Sequence, residues 1–197
     1  MITPAQLRWL GLFTLLGLGG LGLYIIWMSD GRTLLEMLEG NFSWYSQLGI
    51  GLALGTINAF AGWGLIRMPF MEPVERKYRT LIGGIRIGWP DIIFLSVCAG
   101  VGEELLFRGG VQPHFGVWPT SILFVALHGY LNPMDWRVSV YGIFMTIAIA
   151  IIGKLYLNVG ALSAFTAHTM IDIILIRALI KAHQEKGGDD DEEPPDL

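Results

Sequence analysis

Apolar residues run along this chain in six long stretches, separated by short polar, Gly- or Pro-containing segments. Such unbroken runs are the pattern of buried or membrane helices, not of amphipathic surface helices. A bilayer core of about 30 Å takes about 20 apolar residues per helix. The runs predict spans at 9–28, 45–66, 91–107, 118–131, 136–157 and 160–180. The fourth is short for an unaided span. Asn132-Pro133 behind it is a turn signal, because proline disfavours helix in the residue before it. All seven tryptophans (Trp9, Trp27, Trp44, Trp63, Trp89, Trp118 and Trp136) fall near the ends of these runs, where membrane interfaces favour them. Gly51-x-x-x-Gly55 in the second run has the small-residue spacing that lets two helices approach closely.

Composition agrees. Hydrophobic residues make up 53% and charged residues 15% of the 197, against about 25% charged in soluble domains, and the mean hydropathy is +0.53. The expected fold is all-α, a polytopic membrane bundle of about six helices. Residues 1–183 form one membrane-embedded domain with a motif-bearing core at about 91–180. The acidic tail 184–197 cannot bury a core and is expected to be disordered. That tail holds Asp189, Asp190, Asp191, Glu192 and Glu193, which account for the net charge of −4. No basic block points to nucleic acid, and one cysteine, Cys98, excludes an intrachain disulfide. The first run exceeds the 7–15 residues or so of a signal-peptide core and no small-residue cleavage site follows, so it reads as a retained anchor.

Charge sets an orientation. Arg67, Arg76, Lys77, Arg79 and Arg86 cluster between the second and third runs, a segment the positive-inside rule places in the cytoplasm. Six spans then put both termini there, in what is expected to be a bacterial plasma membrane. Within this segment 73–88 is partly amphipathic (Val74, Leu81, Ile82, Ile85) and is expected to lie on the inner surface.

The chemistry is concentrated in three polar groups on the apolar runs. Glu103, Glu104 and Arg108 lie at membrane depth, where one central charge costs roughly 2.5–3.5 kcal/mol and usually marks function. Neighbouring helical positions are about 100° apart. Glu104 and Arg108, at i,i+4, can pair on one face, which leaves Glu103 as the free carboxylate. Phe124 lies one turn before His128 and would shield one edge of its imidazole. His168 and Asp172 are one turn apart, so that the carboxylate can orient or charge the imidazole. A buried ion pair and simple interhelical polar contacts are the non-catalytic alternatives. Three chemistries fit the set: zinc held by His128, His168 and a carboxylate, metal-free hydrolysis with a glutamate activating water, and a proton relay in a transporter.

The ordered trio Glu103-Glu104-Leu-Leu-Phe-Arg108, Phe124-Val-Ala-Leu-His128 and His168-Thr-Met-Ile-Asp172 resembles the CAAX protease and bacteriocin-processing (Abi) family, which includes the type II CAAX prenyl endopeptidases. The resemblance covers 102–172, and residues 1–90 add only membrane spans. It implies an intramembrane endopeptidase that acts on a peptide or protein at the lipid bilayer. Glu103 would activate water with help from His128, His168 and Asp172 would support the oxyanion, and Glu104 and Arg108, with Phe124, would support the site structurally. The family pattern often ends in Asn, and an ionised Asp172 would oppose an oxyanion unless it acts through a charged His168. No cofactor is favoured. Zinc, if it were used, would take His128, His168 and Glu103. The site is expected near the outer ends of the third and fourth spans. The alternatives are a catalytically silent scaffold or immunity-type protein of the same fold, and a proton-coupled transporter. The latter would be expected to show an internal inverted repeat, which the sequence lacks.

Overall fold

A computed structural model describes residues 3–83, 85 and 87–186. In chain order its elements are α1 (Pro4–Phe13), a π-helical turn (Thr14–Leu18), α2 (Gly19–Asp30), α3 (Leu34–Glu39), α4 (Trp44–Ile66), a 3₁₀ turn (Pro69–Met71), α5 (Glu72–Gly83), α6 (Trp89–Glu104), a second π-helical turn (Leu105–Val111), α7 (Gln112–Phe115), α8 (Val117–Leu127), α9 (Trp136–Asn158) and α10 (Ala161–Lys186). No strand occurs among the described residues.

Local signals start these helices where the backbone needs partners. Thr3 caps α1 and Thr33 caps α3, each answered by the third helical residue, Gln6 or Glu36. Asp135 caps α9 by accepting from the backbone N–H groups of Arg137 and Val138 at 3.1 and 3.3 Å.

Among the described residues, four helices are long and apolar enough to cross a membrane: Pro4–Asp30, Trp44–Ile66, Trp136–Asn158 and Ala161–Lys186. The chain is an integral membrane protein. The other two predicted spans take different forms. The third is part of a helical rod over 89–115, whose central Glu103, Glu104 and Arg108 set it apart from the four apolar helices. The fourth, predicted over 118–131, is only the 11-residue α8, roughly half the bilayer core at 1.5 Å per residue. It ends at Leu127 because Gly129 takes a left-handed φ of 75° and turns the chain.

At the C-terminus α10 runs on through Gln184, Glu185 and Lys186, which were expected to open the tail. Residues 187–197 lie outside the described residues, as does Arg86. In α5, Val74 is buried and Leu81 faces outward. The unexpected buried pair is Glu75 and Arg79, which meet at 3.3 Å, with Lys186 of α10 on Glu75 at 3.0 Å.

The central element is α10, packed against α4, α5, α6 and α9. Its approach to α4 depends on the Gly51/Gly55 spacing. A Cβ at Gly55 would fall on the Ala167 carbonyl, and one at Gly51 on that of Ser163. Gln47, fully buried, ties the same pair together. Its amide donates to the carbonyls of Leu38, Glu39 and Phe42 and accepts from the Leu162 N–H. Six of the seven tryptophans are exposed, as interfacial anchors would be; Trp63 is half-buried.

Candidate active site

α6 presents Glu103 and Glu104 at its last turn, and the π-helical turn that follows carries Arg108 inward. Glu104 and Arg108 are both fully buried. Arg108 Nε donates to Glu104 Oε2 at 3.0 Å, the i,i+4 pair expected from the sequence. Its Nη1 reaches Gln112 Oε1 at 3.5 Å, and Gln112 Nε2 donates to the Gly153 carbonyl at 3.1 Å. The guanidinium also lies over the Phe124 ring, 5.6 Å from its centroid. These contacts spread the desolvation of one buried cation over a carboxylate, an amide and an aromatic face.

Glu104 has a second contact that its spacing from Arg108 does not reveal. Its Oε1 lies 2.9 Å from His168 Nδ1. A carboxylate paired with a guanidinium is acceptor-only, so His168 carries its proton on Nδ1 and donates it to Glu104. His128 is fixed in the same sense. Its Nδ1 lies 2.8 Å from the Phe124 carbonyl, and a carbonyl can only accept. Both imidazoles therefore turn Nε2 toward the space between them, and Glu103 Oε2 is there, 3.5 Å from His128 Nε2 and 4.0 Å from His168 Nε2. That Glu103 oxygen is buried and makes no protein hydrogen bond. Asp172 Oδ2 approaches the same His168 nitrogen at 3.7 Å. Glu103, His128, His168 and Asp172, drawn from α6, the end of α8 and α10, thus meet at one point.

Phe124 stacks on the His128 ring at 4.3 Å between centroids and meets His168 edge-on at 5.7 Å. Phe107 packs edge-on against it at 4.9 Å. One phenyl ring therefore sets the planes of both imidazoles and covers Arg108.

A cavity of about 120 Å³ adjoins the cluster, walled by His128, His168, Asp172, Tyr78, Tyr130 and Tyr141 together with aliphatic side chains of α4, α9 and α10. It extends toward α5 and the C-terminal half of α10. His128 stands at the C-terminal end of α8 and Glu103 near the middle of the 89–115 rod. The three tyrosines and Gln112 carried no signal in the sequence beyond Tyr130 lying two residues after His128.

Among the described residues, no group of three or more His, Cys, Asp or Glu side chains is arranged to hold a metal ion.

Comparisons with known proteins agree with the motif reading. The uncharacterized protein YpbD of Bacillus subtilis (strain 168) is 39% identical over 87 residues, which cover 43% of this chain and 43% of YpbD. The match thus spans less than half the length of that relative. No solved structure matches. The family model for type II CAAX prenyl endopeptidase, Rce1-like, matches residues 85–174, the stretch that contains every residue of the cluster. Over that stretch the chain is similar to the Rce1-like type II CAAX prenyl endopeptidases.

Proposed function

We propose that this protein is an intramembrane endopeptidase that hydrolyses a peptide bond of a membrane-associated peptide or protein with a glutamate-activated water. The observation that carries the reading is the Glu103 oxygen, buried without a hydrogen bond and facing two imidazole nitrogens at 3.5 and 4.0 Å. Atoms so spaced can each bond one water at about 2.8 Å. Leaving such a carboxylate unpartnered in an apolar interior is costly unless a water or a substrate completes it.

In the proposed reaction Glu103 takes a proton from that water while His128 Nε2 holds it in place. The water oxygen bonds to the scissile carbonyl carbon, and the carbonyl π pair moves onto its oxygen. His168, charged between Glu104 and Asp172, donates from Nε2 toward this oxyanion. The C–N bond then breaks as the proton on Glu103 passes to the departing amine. Glu104, Arg108 and Phe124 hold the imidazoles in place. In this reading Asp172 acts through His168 rather than on the oxyanion, which an ionised carboxylate would repel.

The proposed setting is the bacterial plasma membrane, with both termini and the basic 67–89 segment on the cytoplasmic side. The site then faces the inner leaflet. One membrane domain over 1–183 carries the activity, and its partners are the substrate and the lipid bilayer. A test compares the new protein N-termini produced in cells expressing wild type or Glu103→Gln. Termini that lie in or beside membrane segments and appear only with wild type are expected. Identical profiles, with both proteins present in the membrane, would contradict the reading.

A further inference from the structure

The two imidazole tautomers create a shortage of donors. With both Nδ1–H groups committed to the Phe124 carbonyl and to Glu104, neutral imidazoles offer only lone pairs at Nε2. Glu103 and Asp172 offer carboxylate oxygens. Apart from the proton that His168 gains when charged, everything these four residues aim at the shared space is an acceptor. A tetrahedral intermediate needs donors placed where its oxyanion forms.

The cavity wall holds a donor of the right kind. A phenol has an ordinary pKa of about 10, so it is a protonated donor at neutral pH. Tyr130 shares the cavity with His128, His168 and Asp172. Its ring lies parallel to that of His128, with 6.2 Å between centroids and 7° between planes. Tyr141 and Tyr78 brace it at 5.3 and 5.8 Å. Its hydroxyl has no hydrogen-bond partner among the described residues.

The backbone holds Tyr130 in place. Its N–H donates to the Val125 carbonyl at 3.2 Å, closing the turn that Gly129 makes. Its carbonyl rests directly on α9 at Gly142, where any Cβ would collide with it.

We propose that Tyr130 is a catalytic residue whose hydroxyl donates to the substrate's carbonyl oxygen as that oxygen becomes an oxyanion, beside His168. This rests on the hydrolytic reading above. It gives a physical reason for the site to work with an acidic residue at 172: the neutral donor comes from the loop after α8.

The probe is a pool of internally quenched peptides with apolar flanks, presented to the protein in liposomes of phosphatidylethanolamine and phosphatidylglycerol. For the peptide cleaved fastest, Tyr130→Phe is expected to lower kcat about 10²–10³-fold, the usual loss for one oxyanion donor. KM should stay within about twofold and the thermal transition should not move. Gly142→Ala, which pushes Tyr130 aside with its hydroxyl intact, is expected to lower kcat as well. A Tyr130→Phe protein with kcat within twofold of wild type overturns the inference, as does a change confined to KM. Wild-type protein that cleaves nothing in the pool counts against the hydrolytic reading itself. Wild-type turnover with an unaffected Tyr130→Phe counts against this inference alone.

Discussion

Glu104 holds two buried groups at once, and separating them gives a demanding test. Glu104→Gln keeps the shape but removes the charge between Arg108 Nε at 3.0 Å and His168 Nδ1 at 2.9 Å. Both members of the ion pair are fully buried. Removing one partner of such a pair costs about 3–5 kcal/mol, because the other charge stays buried. Arg108 would retain the Phe124 face and Gln112, which places the loss toward the lower end. Replacing both residues, as Glu104→Met with Arg108→Met, removes both charges. What then remains is an unpartnered His168 N–H, at about 1–3 kcal/mol. The double variant is therefore expected to be more stable than Glu104→Gln, a clear failure of additivity. Its activity should not recover, because His168 has lost the acceptor that orients it. Both variants should turn over on the order of 10²–10⁴-fold more slowly, the range a positioned acid–base group supplies. Unfolding in mixed micelles, followed by tryptophan fluorescence, and peptide cleavage in liposomes give the two readouts. A double variant less stable than Glu104→Gln, or one that regains activity, would refute the reasoning.

Other consequences follow from the same contacts. Phe124→Ala should cost about 3–5 kcal/mol as a large-to-small core change and reduce turnover. Phe124→Leu should recover most of the stability but not the rate, since it restores volume without the stack on His128; the same two assays check this. Gln47→Leu leaves three carbonyls and the Leu162 N–H without their shared partner. It should destabilise the fold by a few kcal/mol, at about 1–3 kcal/mol per orphaned group before water reaches them, read as a lower thermal transition in micelles. Prolonged chelation with a zinc-specific chelator should leave the cleavage rate within twofold. Loss of rate restored by added zinc would instead place a metal at His128, His168 and Glu103.

The parts of this site that could be read in the sequence were those within one helical turn. Glu104 and Arg108, Phe124 and His128, and His168 and Asp172 are each four residues apart, and helical geometry alone brings them together. Glu103 could be singled out because the neighbouring position must point elsewhere. The contacts that make the site a unit were not visible. Glu104 meets His168 across 64 residues, and Tyr130 owes its place to Gly142 on another helix. The early end of α8 was missed because hydrophobicity continues through Tyr130 and Leu131 while Gly129 reverses the chain. The pair Glu75 and Arg79 was read as part of a surface segment, since a sequence pattern does not show that α10 covers them and supplies Lys186. Gly51 and Gly55 were read correctly as a packing face, though the partner, α10, became known only from the structure.

The central claim is that Glu103 activates a water held by two imidazoles. Single-turnover cleavage of a membrane peptide in H₂¹⁸O tests it most directly, with wild-type and Glu103→Gln protein run side by side and the enzyme's intact mass followed throughout. The account predicts one ¹⁸O in the new carboxyl group, no peptide bound covalently to the enzyme at any time, and no product from Glu103→Gln. A Glu103→Gln protein that cleaves at the wild-type rate, or an acyl-enzyme mass that appears before product, would contradict it.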